Sequence, residues 1–170
     1  MANIVNIALR GLQFFFAIVI LGLSGHLVAS QTFGGAPSIT NYEVFLGIWL
    51  FVISVIGLAG SFISALSGVV MVALDALSVL FTFAGGVGMA AKLGVHDCSC
   101  NKPDSSCPYL TNNVVINGGK NHEGSVDQYL NRVQRCREAQ ADTAFVWFAF
   151  ATFLGTFVLS FLSWKRGGVK

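Results

Sequence analysis

The chain has 170 residues, of which 54% are hydrophobic and only 11% are charged, with a formal net charge of +2. Soluble domains average about 25% charged residues, so this composition indicates a membrane protein rather than a soluble globular one. The small net charge, without a basic stripe interleaved with aromatic residues, argues against nucleic-acid binding.

Four apolar segments are long enough to cross a membrane as helices. A span of about 20 residues crosses a hydrocarbon core about 30 Å thick, and we predict such helices over residues 9–29, 42–64, 69–91 and 143–164. The second and third share one nearly continuous apolar run, which the small residues near position 64 divide at a hairpin. The sequence therefore predicts an all-α membrane protein built as a bundle of four transmembrane helices.

The first segment begins beside a cation, Arg10, whose side chain can extend toward the lipid headgroups. A cleaved signal peptide is the alternative interpretation, because the small residues Ala29 and Ser30 follow the segment. Signal peptides have shorter apolar cores, of about 7–15 residues. A membrane anchor is therefore favoured.

Small residues predict where helices two and four approach a neighbour closely. Gly57, Gly60 and Ser64 lie on adjacent turns of helix two, and Gly155 lies on a face of small residues in helix four. This spacing resembles the small-xxx-small pattern of tightly packed membrane helices, although Gly57 and Gly60 are only three positions apart. We expect these residues to pack within the bundle, with homodimerisation as the alternative.

Asp75 is an acidic residue well inside the third helix. It lies about 9 Å into the membrane from the helix end, where an ionised carboxylate is costly unless it is paired, protonated or facing water. Arg10 enters helix one from the same side. We therefore predict an intramembrane charge pair between Arg10 and Asp75 that fixes helix one against helix three.

All four cysteines fall in the one long polar segment, residues 92–142. Cysteines clustered in this way are typical of an oxidising compartment, so the segment is predicted to be an extracellular loop held by disulfides. Cys98 and Cys100 are too close to favour pairing with each other, which leaves two of the three connectivities. A metal site that adds His96 or His122 is less favoured, because the spacing fits none of the usual zinc patterns. The cysteines are Cys98, Cys100, Cys107 and Cys136.

The second half of this loop has helical features. Ser125 and Gln128 form a capping-box signature, and apolar residues then recur at helical spacing. We predict a helix that begins near Val126 and can continue into helix four.

The end of helix four carries an interfacial aromatic residue followed by two cations, Trp164, Lys165 and Arg166, as expected at a cytoplasmic boundary. The full count of Lys and Arg opposes this orientation, with four on the side of the termini and six in the loop. Acidic residues accompany the loop cations, however, and the cysteines favour the oxidising side. We therefore predict that both termini are cytoplasmic.

Several short motifs resemble the fungal MARVEL-domain proteins called non-classical export proteins, the tetraspan partners of eisosomes. The paired cysteines of claudins and the Cys-Cys-Gly of tetraspanins do not occur in the corresponding loops. The extra cysteines Cys100 and Cys107 depart from the family pattern. The motifs are Leu9 and Arg10 before aromatics, Leu74 and Asp75 before Phe81, Thr82 and Phe83, the triplet 96–98, and the block 136–141 with Ala144 and Phe145.

The resemblance implies a single MARVEL-like tetraspan domain over residues 1–170 in the plasma membrane, where it helps to form furrow-like microdomains and responds to sphingolipids. It implies that Cys98 pairs with Cys136, which leaves Cys100 with Cys107. The expected partners are membrane lipids including sphingolipid, other membrane proteins or eisosome components, and a second copy of the chain. A second hypothesis for Asp75 follows, in which it responds to protons or to a headgroup and sphingolipid competes for Arg10.

Three classes of function fit these residues unequally. A non-enzymatic organiser of lipid and protein microdomains is favoured. A transport or non-classical export component, or an accessory subunit of a larger membrane complex, is the alternative suggested by an intramembrane acid, although no inverted repeat supports transport. An enzyme is least favoured, because no nucleophile, base and orienting group are recognisable in the spans, and no cofactor or metal is expected.

Overall fold

A computed structural model of the chain describes residues 4–32, 34–60, 69–94, 96–98, 108–119 and 126–165. Throughout these residues the regular structure is helical, and four of the helices are long and apolar enough to cross a membrane. The predicted fold class, an all-α protein with four transmembrane helices, is confirmed. The helices are α1 (Ile4–Ala29), α2 (Ser38–Gly60), α3 (Val69–Leu93), α4 (Pro108–Asn112) and α5 (Val126–Lys165).

The four long helices form a closed ring in which each contacts two neighbours. Helix α1 packs against α2 and α5, and α3 packs against the same two helices. Helices α1 and α3 therefore face each other across one diagonal of the bundle, and α2 and α5 across the other. We call the end where α1 begins and α5 finishes the terminal end, and the opposite end the loop end.

Helix α5 has 40 residues and combines the predicted loop helix with the predicted fourth span. Its first turns are polar and stand at the loop end, where they support the loop, whereas its later turns are apolar and lie in the bundle. One unbroken helix thus connects the loop rigidly to the membrane-spanning segment.

Two clusters of buried side chains form the core. The larger part of the bundle is filled by Ala17, Ile20, Leu46, Leu50, Ile53, Val146, Ala149 and Phe153. A second cluster at the loop end is composed of Leu27, Met89, Leu93, Cys98, Leu110, Val115, Ile116, Cys136 and Ala139. The loop therefore shares a core with the helix ends instead of projecting freely from them.

Small residues bring the helix backbones close at defined points. A Cβ atom added at Gly47 would lie 2.9 Å from the Cα atom of Leu21, so α1 and α2 nearly touch there. A Cβ atom at Gly86 would lie 3.0 Å from the Trp147 ring, where α3 meets α5. These positions are fixed by packing that only glycine permits.

The loop end is fastened by a disulfide and by hydrogen bonds to helix ends. Cys98 is bonded to Cys136 with a Cα–Cα distance of 5.7 Å, which joins the segment after α3 to α5. The Tyr109 hydroxyl donates to the Leu93 carbonyl at 2.5 Å, and burial raises the pKa of this tyrosine. A disulfide-stapled loop is thus present between the third and fourth spans. Cys100 and Cys107 lie outside the described residues.

Candidate functional sites within the bundle

Arg10 and Asp75 meet across the diagonal between α1 and α3, near the terminal end. Arg10 Nη1 donates to Asp75 Oδ1 at 2.7 Å, and Nη2 donates to Oδ2 at 2.7 Å. The side chains are 2% and 0% exposed, respectively. Two parallel charge-assisted hydrogen bonds are the strongest arrangement for such a pair. The guanidinium and carboxylate charges therefore compensate each other inside the bundle.

Gln13 extends this pair to α5. Arg10 Nη1 donates to Gln13 Oε1 at 3.1 Å, while Gln13 Nε2 donates to Thr156 Oγ1 at 2.9 Å and to the Thr152 carbonyl at 3.1 Å. The sequence did not predict roles for Gln13 or Thr156. The spacing of Arg10 and Gln13, which places them on one face of α1, was the available signal.

Gly57 gives the Arg10 side chain its space. A Cβ atom at Gly57 would lie 2.7 Å from Arg10 Cδ and 2.7 Å from Nε, so α2 closes the polar cluster on its remaining side. All four long helices therefore contribute to the surroundings of one ion pair.

The other predicted packing and boundary residues have smaller roles or are not described. A Cβ atom at Gly155 would meet only Leu9 Cδ1, at 3.8 Å, which is ordinary contact. Gly60 is the last residue of α2 and is half-buried. Trp164 and Lys165 are exposed in the last turn of α5. Ser64 and Arg166 lie outside the described residues.

Two carboxylic side chains, Glu43 and Asp142, lie on the two helices of the other diagonal, α2 and α5. Both are completely buried, and the two groups interact electrostatically. Within the described residues, all four of their carboxyl oxygens lack a hydrogen-bond partner. A Cβ atom at Gly85 would lie 3.0 Å from Glu43 Oε1, so α3 packs closely against Glu43. Two acids without a described cation are therefore enclosed in the bundle.

Neither acid was predicted as a site from the sequence. Glu43 stands at the second position of the predicted helix 42–64, so Asp75 is one of at least two acids within the predicted spans. Asp142 was assigned to the end of the polar loop, because charged residues dominate the turns before it. The usable signal was the helical spacing of Glu43 with the apolar residues Leu46 and Leu50.

Arg135 holds the loop end together. Its guanidinium donates to the carbonyls of Leu27 at 2.9 Å, Val115 at 3.0 Å and Ile116 at 3.2 Å. It also donates to the side chains of Ser30 and Gln31. The cation thus binds one carbonyl in the last turn of α1 and two carbonyls of the turn after α4. A polar cavity of about 350 Å³ adjoins it, lined in part by His26, Asn117, Arg132 and Gln134.

Comparison with known families agrees with this architecture. The family model described as MARVEL, a membrane-associating domain, matches residues 3–159. The chain belongs to the MARVEL family. The family membership inferred from the short sequence motifs is therefore confirmed.

The chain is also similar to curated fungal proteins over most of their length. It is 28% identical to non-classical export protein 2 of Saccharomyces cerevisiae over 162 residues, covering 94% of this chain and 82% of the relative. It is 31% identical to non-classical export protein 102 of Candida albicans over 171 residues, covering 99% and 89%, respectively. The homolog of protein 2 in Schizosaccharomyces pombe is 26% identical over 152 residues, covering 88% and 73%. No solved structure matches the chain.

Proposed function

We propose that this protein is a non-enzymatic organiser of lipid and protein microdomains in the plasma membrane, of the eisosome-furrow type, and that it responds to sphingolipids. Its action consists of lateral contacts made by the outer surface of the bundle. Both termini are cytoplasmic in this proposal, and the disulfide-bonded loop is extracellular.

The observation that carries the proposal is the contrast between the outside and the inside of the bundle. Each long helix presents large aromatic side chains outward, among them Phe15, Phe45, Phe83 and Phe148, all about half-exposed. The polar groups at the terminal end face inward, where Arg10 and Asp75 bind each other. In a bilayer, extended apolar surface contacts lipid tails and neighbouring helices. The protein is thus suited to contact the lipids and membrane proteins that lie beside it in the bilayer.

Reconstitution tests this function directly. Donor-labelled and acceptor-labelled copies are placed in phosphatidylcholine vesicles with or without sphingomyelin, with a small dye trapped inside. An organiser gives energy transfer between copies that changes with sphingomyelin and leaves the dye trapped. Dye release without any change in energy transfer contradicts the proposal.

Two variants on opposite sides of the bundle locate the active surface. Phe15→Ala with Phe45→Ala alters the α1/α2 side, whereas Phe83→Ala with Phe148→Ala alters the α3/α5 side. We expect one pair to lower the energy transfer at least twofold while the thermal unfolding temperature stays constant. Equal clustering by both variants and the wild type would show that the aromatic surface is not responsible.

A transport or non-classical export component, or an accessory subunit of a larger complex, is the second candidate. The relatives named above carry "non-classical export" in their names. Within the described residues, Glu43 and Asp142 lack hydrogen-bond partners, and acids of this kind in membrane spans often mark ion or proton paths. Flux of solute in the vesicle experiment favours this candidate.

Thiol labelling in intact cells tests the location and orientation. An impermeant maleimide is applied before and after an impermeant reductant. Labelling of Cys98 and Cys136 only after reduction places the loop outside. Labelling that requires permeabilisation and no reductant places the loop in the cytosol and contradicts the proposed orientation.

A further inference from the structure

The burial of two acids, Glu43 and Asp142, inside the bundle calls for an explanation that the organiser function does not supply. Both side chains are fully enclosed, and neither has a hydrogen-bond partner in the described part of the chain. They lie between the two core clusters, because Asp142 falls between Ala139 of one cluster and Val146 of the other. An uncompensated charge in such surroundings is very unfavourable, and two like charges together are worse.

The charged and titratable groups on the surrounding helices have other partners or are exposed to the surface. His26 of α1 pairs with Glu138 of α5 at 2.8 Å, so each of these two groups already has a partner. Arg135 of α5 donates to carbonyls and to the side chains at the end of α1. Lys92 of α3 is exposed. Tyr42 of α2, which interacts electrostatically with Glu43, donates its hydroxyl to the Phe81 carbonyl at 3.0 Å.

We propose that Glu43 and Asp142 form a proton-binding site inside the bundle, in which one carboxyl group keeps its proton at neutral pH and donates a hydrogen bond to the other. Binding converts two carboxylates and one proton into a carboxylic acid and a carboxylate, which lowers the buried charge from two to one. Shared protons of this kind are known chemistry for adjacent acids.

A proton fits this place better than a larger cation. Both side chains are without solvent exposure, and neither lines the two cavities found near the loop end. A metal ion or an ammonium group needs room and several oxygen ligands, whereas a proton needs only a carboxyl oxygen. The buried Thr40 hydroxyl, one turn before Glu43 on the same helix face, also lacks a partner among the described residues and offers a further polar group to the pair.

Infrared spectroscopy of the full chain in lipid nanodiscs tests the proposal. The wild type should show the carbonyl stretching band of a protonated carboxyl group at pH 7, shifted in heavy water. The double variant Glu43→Gln with Asp142→Asn should lose this band. Each single variant should move it, because the partner of the remaining carboxyl becomes an amide. Glu138→Gln, which alters a paired and partly exposed acid of α5, should leave it unchanged.

Three results would overturn the proposal. The band can be absent from the wild type at pH 7, which means that both acids are ionised. It can persist in the double variant, which places the proton on another group. It can stay unmoved in a single variant, which means that the proton is not shared. The substitutions preserve size and remove charge, and thermal unfolding of each variant verifies that the bundle is intact. Dye flux does not enter the readout, so this test is independent of the proposed function.

Discussion

Two pairs of buried ionisable residues lie on the two diagonals of the bundle, and they differ in charge. Arg10 and Asp75 join α1 to α3 at the terminal end as opposite charges with two hydrogen bonds. Glu43 and Asp142 lie between α2 and α5 toward the loop end as two acids. The first contact requires both of its charges, because each is buried against the other. The second is stable only when charge is removed from it.

Asp75→Asn should have the largest effect on stability, because it removes one charge of the Arg10–Asp75 pair at the terminal end. Removal of one partner leaves the Arg10 guanidinium buried without a counter-charge, which costs about 3–5 kcal/mol. We expect loss of assembled protein, measured by gel filtration and thermal unfolding in detergent. Arg10→Met added to Asp75→Asn should recover most of the loss, since it removes the orphaned charge.

The same substitution separates the two hypotheses for Asp75. A structural ion pair predicts failed assembly. A site where sphingolipid competes for Arg10 predicts normal assembly and no response to sphingomyelin in vesicles. If Asp75→Asn alters neither property, both hypotheses are wrong.

Cys98→Ser should act on the loop end alone. Disulfides contribute about 2–4 kcal/mol, and this one joins the segment after α3 to α5. Hydrogen exchange should accelerate in residues 108–119 and in the first turns of α5, yet remain slow around Arg10. Equal acceleration at both ends would show that the bundle unfolds as one unit.

Gly57→Ala should weaken the terminal end by a smaller amount. The new methyl group would occupy space within 2.7 Å of Arg10 Nε, and overpacking of this kind costs about 1–3 kcal/mol. The matched control is Gly155→Ala, where the nearest atom is 3.8 Å away. The control should leave the unfolding temperature unchanged or slightly raised, because alanine favours the helix. A similar loss in both variants would mean that helix backbone effects dominate.

The sequence predicts the Arg10–Asp75 pair because two opposite charges at a similar depth in the membrane are expected to be in contact. Arg10 and Asp75 satisfy that rule, and the apolar segments around them also determine the fold class. Glu43 and Asp142 carry the same charge, so no pairing rule connects them. Asp142 also follows the polar first turns of α5, and its place inside the bundle depends on the single long helix that begins at Val126. The contacts of Arg135 with backbone carbonyls depend likewise on the folded loop.

Glu43→Gln should have the smallest effect on stability. It tests the difference between the two pairs at the Glu43–Asp142 pair. The substitution is nearly isosteric, and the new amide can donate to Asp142 in place of the proton that the two acids share. One hydrogen bond, worth about 1 kcal/mol, is exchanged for another, so we expect a stability equal to the wild type in thermal unfolding at pH 7. Asp75→Asn, the corresponding acid-to-amide change at the terminal end, destabilises strongly under the same conditions. The sign of the difference is the informative quantity, since it reports whether each acid is compensated in the folded protein. If Glu43→Gln proved as harmful as Asp75→Asn, the carboxylate of Glu43 would have a cationic partner, and the two diagonals would be alike in charge balance.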